Sequence, residues 1–248
     1  MGSELERGHL FFCYRPRVGV QRARGPTDVQ RFYMIMKPDG KRLFRRVIVG
    51  RKRLPDVAAH EREWAFVDLV SPDPEDMEDE RDPRPYRTTT RGPRVETPAR
   101  PAGESVYVVA RHDTHTHLAH VLELPSSPGP VQRDLRITPE ASFVVTVRNP
   151  DADPGPRPGL PPPRRPDYPE TLGAEFAGRR FIELDPPDLL DYPGTEIVLV
   201  GATQCVEREL GVTLRPQHRT ADSAAFFHEL MMERDLHPLA PLTSGQWE

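Results

Sequence analysis

Lysine is nearly missing from this chain. Of its 34 cationic side chains only Lys37, Lys41 and Lys52 are lysines; the rest are arginine. Together with frequent alanine and 30 prolines, this reads as the imprint of GC-rich coding rather than as a demand for guanidinium groups. Cysteine is scarcer still. Cys13 and Cys205 are the only two, and their separation fits neither a disulfide framework nor a cysteine-based zinc site. Isolated thiols of this kind pack as small apolar groups in a reducing compartment, so a cytoplasmic location is expected. No run approaches the ~18 apolar residues a spanning helix needs. The stretch His9–Tyr14 is too short for the apolar part of a signal sequence, and the final residues Ser244–Glu248 carry no lipidation signal. The G-x-S-x-G elbow, the phosphate-binding P-loop, the dinucleotide fingerprint G-x-G-x-x-G and the helix motif H-E-x-x-H are also absent. These absences remove the hydrolase, nucleotidase, dehydrogenase and metalloprotease classes that can be recognised from a local motif.

What is present is strand periodicity. Short runs rich in β-branched and aromatic residues recur between turn signals. They cover Leu10–Tyr14, Phe32–Met36, Leu43–Val49, Trp64–Val70, Val106–Arg111, Thr116–Leu124, Ser142–Val147, Phe181–Leu184 and Glu196–Val200. Pro38-Asp39-Gly40 links the second and third as a hairpin. Helical signals are fewer: Glu170–Phe176, with Gly178 as a stop, and Asp222–Asp235, whose apolar stripe is Phe226, Phe227, Leu230 and Met231. The expected class is α+β, mainly antiparallel β as a curved sheet or open barrel of hairpins, with a few helices and the longest near the C-terminus. One continuous domain is expected over residues 5–236, since the strands on either side of any break are too few to stand alone. The acidic segment 71–85 and the proline-dense segment 150–168 read as disordered loops, and 237–248 as a flexible tail.

Charge is segregated along the chain. Residues 1–55 hold 14 Lys and Arg against Glu4, Glu6, Asp28 and Asp39, an excess of ten, whereas the whole chain is −4. Arg42, Arg51, Lys52 and Arg53 form the densest group, and Arg87, Arg91 and Arg94 a second one interleaved with threonines. Guanidinium forks beside hydroxyls suit phosphate or carboxylate. These seven residues are therefore candidate contacts for an anionic small molecule or nucleotide. A pI near 6.2 argues against a dedicated nucleic-acid binder. Arg45 and Arg46, adjacent on a strand, must project to opposite faces.

The second candidate is a histidine cluster. With Asp113-Thr114 as a two-residue hairpin loop, His112 pairs with His115 and Ala110 with His117. Alternation then places His112, His115 and His117 on one face, which Val106, Val108, Ala119 and Val121 continue into the core, while His120 points the other way. Three imidazoles with an open position could hold Zn²⁺ and activate water, making a metal-dependent hydrolase the alternative to anion binding. A third reading uses the acidic and proline-rich segments to dock a protein partner.

Several stretches carry a resemblance: Gly8–Pro16, Val49–Pro55, Thr90–Arg94, Thr114–Pro125 and Leu189–Tyr192. They resemble a conserved family of hypothetical proteins, over most of the chain outside the two loops. The resemblance implies a genuine folded family; it brings no activity, cofactor or catalytic residue.

Overall fold

The computed structural model describes residues 2–80, 85–88, 92–95, 98–153, 159–217, 219–232 and 237–248. Its body is a closed antiparallel barrel. The strands, in chain order, are β1 (Ser3–Pro16), β2 (Val29–Pro38), β3 (Phe44–Val49), β4 (Arg62–Ser71), β5 (Pro85–Thr88), β6 (Gly92–Val95), β7 (Arg100–His112), β8 (His115–Leu124), β9 (Glu140–Arg148), β10 (Phe181–Glu183) and β11 (Glu196–Thr203). Neighbours run β9-β11-β4-β3-β2-β1-β7-β8, and β8 pairs with β9 to close the ring. The short β10 lies on β9 beyond the end of the β8 pairing, and β5 and β6 form a separate ribbon.

The expected open barrel is thus closed. Closure rests on β9, whose Glu140–Val144 half pairs with β8 on one edge while Ser142–Val147 pairs with β11 on the other. Full pairing of both edges removes the exposed amides that an open sheet would have to shield. The helices are all short among the described residues: α1 (Pro130–Leu135), α2 (Glu170–Glu175), α3 (Val206–Leu210), α4 (Ala225–Glu229) and α5 (Ala240–Thr243). None is long and apolar enough to cross a membrane. Among the described residues the longest are α1 and α2, of six residues each, and neither is C-terminal. Among the described residues the helix expected over 222–235 is present as α4, and its stripe breaks at Met231, which takes a left-handed backbone (φ 54°) and is 56% exposed. Residues 233–236 lie outside the described set.

Alternation explains which strands read as continuous apolar runs. Leu10, Phe12 and Tyr14 of β1 fill the barrel with Phe32, Met34, Val47, Val67, Tyr107, Phe143, Val145 and Leu199. The intervening Phe11 and Cys13 are also buried, in an outer cluster where Phe226 and Leu230 pack on the β1–β2 wall. An outer layer on that wall demands apolar side chains on both faces. A second outer cluster sets Val206 and Leu210 of α3 on Val108, Ala110 and Ala119. β4 is different: Ala65 and Val67 point inward, whereas Trp64, Phe66 and Asp68 are only half-buried. Here the barrel wall faces solvent.

The chain outside the strands is tied down by polar contacts. Within the acidic segment, Pro74–Glu80 form a 3₁₀ turn, and Met77 joins the outer cluster. In residues 237–248, Leu242 is fully buried and Glu248 accepts from Arg100 Nε at 2.7 Å. Buried Gln132 of α1 donates to the carbonyls of Ala102 and Pro241, joining α5 to β7. Beside α4, Arg219 Nε sits 3.1 Å from both Glu104 and Glu123. Glu229 of α4 pairs with His9 at 2.7 Å and Lys37 at 3.1 Å.

That last contact predicts a pH dependence. The Glu229 carboxylate raises the His9 pKa. Burial works against ionised Glu229, yet His9 and Lys37 together hold its pKa below the usual range. The His9 contribution is fully present below its unfolded pKa and fades as pH rises through the elevated folded one. The Glu229 contribution fades as pH falls through its depressed one. A part-exposed charge-assisted contact of this kind is worth about 1 kcal/mol. In urea titrations, His9→Asn should lower stability by about that amount near pH 6, and by less at pH 8.5. An equal loss at both values would refute the protonated pair.

Candidate functional site

The sequence-derived arginines do not come together. Arg42 stands exposed on the β2–β3 turn, whereas Arg51, Lys52 and Arg53 follow the other end of β3. The strand between them puts the two groups about 20 Å apart. Arg87 and Arg94 stand on the β5–β6 ribbon, where Tyr86 pairs with Arg94 and Arg87 with Pro93; Arg91 lies outside the described residues. Lys52 Nζ donates to the Val29 carbonyl at 2.8 Å. Arg51 reaches Glu61 at 2.7 Å and Glu63 at 3.3 Å, and Arg53 reaches Glu61 at 3.3 Å. The Asp56 amide holds Glu61 below the ordinary carboxylate pKa, helped by Arg136 and Arg53, while burial pushes Glu63 up. Arg45 and Arg46 do project apart. Arg45 is fully buried at one end of the barrel on Glu6 and Asp191, and Arg46 binds Asp68 on the outside at 2.6 Å.

One member of the first group, Arg51, does border a cavity. A concavity of about 760 Å³ opens on the outer wall of β4, β11 and β9. Register builds it row by row. Arg62 stands opposite Val200, which stands opposite Val144; Trp64 stands opposite Val198, which stands opposite Thr146. Val198, Val200 and Thr146 therefore form a floor, with Trp64 on one side. Phe181 of β10 lies 6.0 Å from Trp64, ring centroid to centroid, at 59°. The rim carries Arg51, Arg62 and Arg180, all exposed, and one carboxylate, Glu61. Arg62 makes no ion pair among the described residues. Buried Arg148, paired with Glu196 at 3.4 Å, lies 5.7 Å from the Trp64 ring centre and supports it from the adjoining row.

The histidine hairpin has the expected register: His112 pairs with His115 and Ala110 with His117, with Asp113 left-handed (φ 52°) in the turn. Which face is the core is reversed, however. His120 enters the barrel, fully buried between Phe12 and Phe143. The face of His117, Val108 and Ala119 is the outer one, covered by α3. The reversal follows from closure, because the interior of a barrel is fixed by all eight strands and not by one hairpin.

On that outer face His117 is buried while the side chain of His115 is 57% exposed. Burial lowers the His117 pKa, with His112 and His115 acting in the same direction. His112 and His117 rings are 6.1 Å apart, and His115 lies 3.5 Å from Glu183. Among the described residues no group of three or more His, Cys, Asp or Glu side chains is arranged to hold a metal ion. The hairpin nevertheless flanks the concavity, since His117 stands opposite Val144 in the Arg62–Val200 row.

Sequence reasoning missed Arg62, Trp64, Phe181 and Arg180. The available signal was the β4 alternation Arg62, Trp64, Phe66, Asp68, an outer stripe mixing charge with large aromatic rings. Comparison of the chain with protein-family models, with curated proteins and with solved structures finds no match, so the site is read from its own chemistry and from a resemblance that carries no activity.

Proposed function

We propose that this protein is a cytoplasmic binding module for an anionic, phosphate-bearing ligand, seated in the concavity on β4, β11 and β9. The observation that carries the reading is the convergence of Arg51, Arg62 and Arg180 on one rim, where Glu61 and Glu63 offset only Arg51 among the ion pairs described. Guanidinium groups recognise phosphate oxygens through paired N–H donors, and a cationic rim over an apolar floor raises the local concentration of anions. The cytoplasmic location rests on two free thiols, Cys13 buried and Cys205 exposed. No observation favours the metal-dependent hydrolase or the docking module over this reading.

Inorganic pyrophosphate tests it by calorimetry. Binding should weaken as salt rises, and Arg62→Ala should weaken it about five- to tenfold, on the order of 1 kcal/mol. Arg208→Ala, on the exposed outer side of α3, should leave it unchanged. Binding that ignores salt, or an Arg62→Ala protein that binds as the parent does, would contradict the proposal.

A further inference from the structure

The rim accounts for an anion but not for the floor. A small inorganic ion held by Arg51, Arg62 and Arg180 would leave the half-buried Val200, Trp64 and Phe181 uncovered, with Val198 already buried between them. These four are packed as one surface. Trp64 and Val198 are cross-strand partners, and Val200 follows Val198 two residues on, so both valines present the same face. Trp64 and Phe181 form a corner in contact with each other, and both remain half-buried. Elsewhere the outer wall is treated differently: α4 covers β1 and β2, and α3 covers β7 and β8. At the concavity the half-buried apolar side chains Trp64, Phe181 and Val200 are bordered by Arg51, Arg62 and Arg180.

From this juxtaposition we infer that the ligand carries a planar ring as well as phosphate, and that it is a nucleoside di- or triphosphate. The inference rests on the anion-binding reading above and extends it. The base lies against the Trp64–Phe181 corner, where a π-face gains stacking and apolar contact with little dependence on which base it is. The phosphates reach outward to Arg62, with Arg51 and Arg180 beside it. Thr146, half-buried at the far side of the floor, supplies a hydroxyl within the same row as Trp64.

The chain offers its own reporter. Its two tryptophans are Trp64 and Trp247, so Trp247→Phe leaves Trp64 as the sole tryptophan. ADP, GDP, CDP and UDP are titrated in parallel with pyrophosphate and with adenosine, following Trp64 emission and binding heat. The expected result is quenching of Trp64 by at least one nucleoside diphosphate, which binds ten- to a hundredfold tighter than pyrophosphate. Trp64→Leu, and separately Phe181→Leu, should bring that affinity down toward the pyrophosphate value. Equal affinity for pyrophosphate and all four nucleotides, with Trp64 emission unchanged, overturns the ring assignment and leaves the anion reading standing. Absence of binding by pyrophosphate and by every nucleotide overturns both.

Discussion

Acidification from pH 7 to pH 4 should cost the protein about 3 kcal/mol through one side chain, His120. The imidazole is fully buried in the barrel, edge-on to Phe12 and stacked on Phe143. Its Nδ1 lies 3.4 Å from the Ser105 hydroxyl, and its Nε2 has no partner among the described residues. Burial drives its pKa down from 6.5 to about 4. The sign follows directly. The native state holds the neutral ring and the unfolded state protonates first, so stability is fully present above pH 6.5 and drains away as pH falls toward 4. The variant His120→Leu removes both the titration and the orphaned nitrogen. At pH 7 it should lie within about 1.5 kcal/mol of the parent, whereas at pH 4.5 it should be the more stable of the two. Urea midpoints at the two values decide the matter, and stability curves that stay parallel across the range would rule out a neutral, buried His120.

A larger loss is expected from Arg45→Ala. The Arg45 side chain is fully buried, with Nη1 and Nη2 donating to Glu6 at 2.6 and 3.0 Å and Nε to Asp191 at 2.6 Å. Tyr107 donates to Glu6 at 2.8 Å, and Lys41 spans Asp188 and Asp191 at 2.7 and 3.2 Å. Removing the guanidinium strands the Glu6 carboxylate, which is only 7% exposed, without its bidentate partner. Breaking one side of a buried pair costs about 3–5 kcal/mol, a large part of the ~5–15 kcal/mol that holds a domain folded. Arg45→Met separates charge from packing, because it restores most of the volume but not the partner. It should lose nearly as much as Arg45→Ala, and adding Glu6→Gln to it should recover a substantial part. An Arg45→Met protein that unfolds at the parental urea concentration would mean that the network contributes shape rather than charge compensation.

The sequence disclosed what local chemistry controls. The register of β7 and β8 follows from the two-residue turn at Asp113-Thr114, since loop length fixes which residues face each other. The outer burial of Phe11 and Cys13 is visible as an unbroken apolar run in β1. Closure was hidden because it depends on β9 meeting both β8 and β11, pairings that no turn motif announces. With closure hidden, the inside of the β7–β8 hairpin was assigned to the wrong face, although its register was right.

The site was hidden for a related reason. Arg62 and Trp64 lie more than a hundred residues from Phe181, Arg180 and Val198, and only the rows of a closed wall bring them together. Charge density along the chain instead drew notice to Arg42, which the length of β3 carries to the opposite end from Arg51. The helix expected over 222–235 rests on Phe226, Phe227, Leu230 and Met231, which mimic a stripe that breaks at Met231, whereas the buried members, Phe226 and Leu230, pack on the β1–β2 wall.

The central claim is that the uncovered wall of β4, β11 and β9 receives a phosphate-bearing ligand, and amide chemical-shift mapping with pyrophosphate tests it most directly. The account predicts saturable, salt-dependent shifts that concentrate at the rim residues Arg51, Arg62 and Arg180. Shifts that cluster instead around Arg42 or the His112–His115 turn, or none at all, would contradict it.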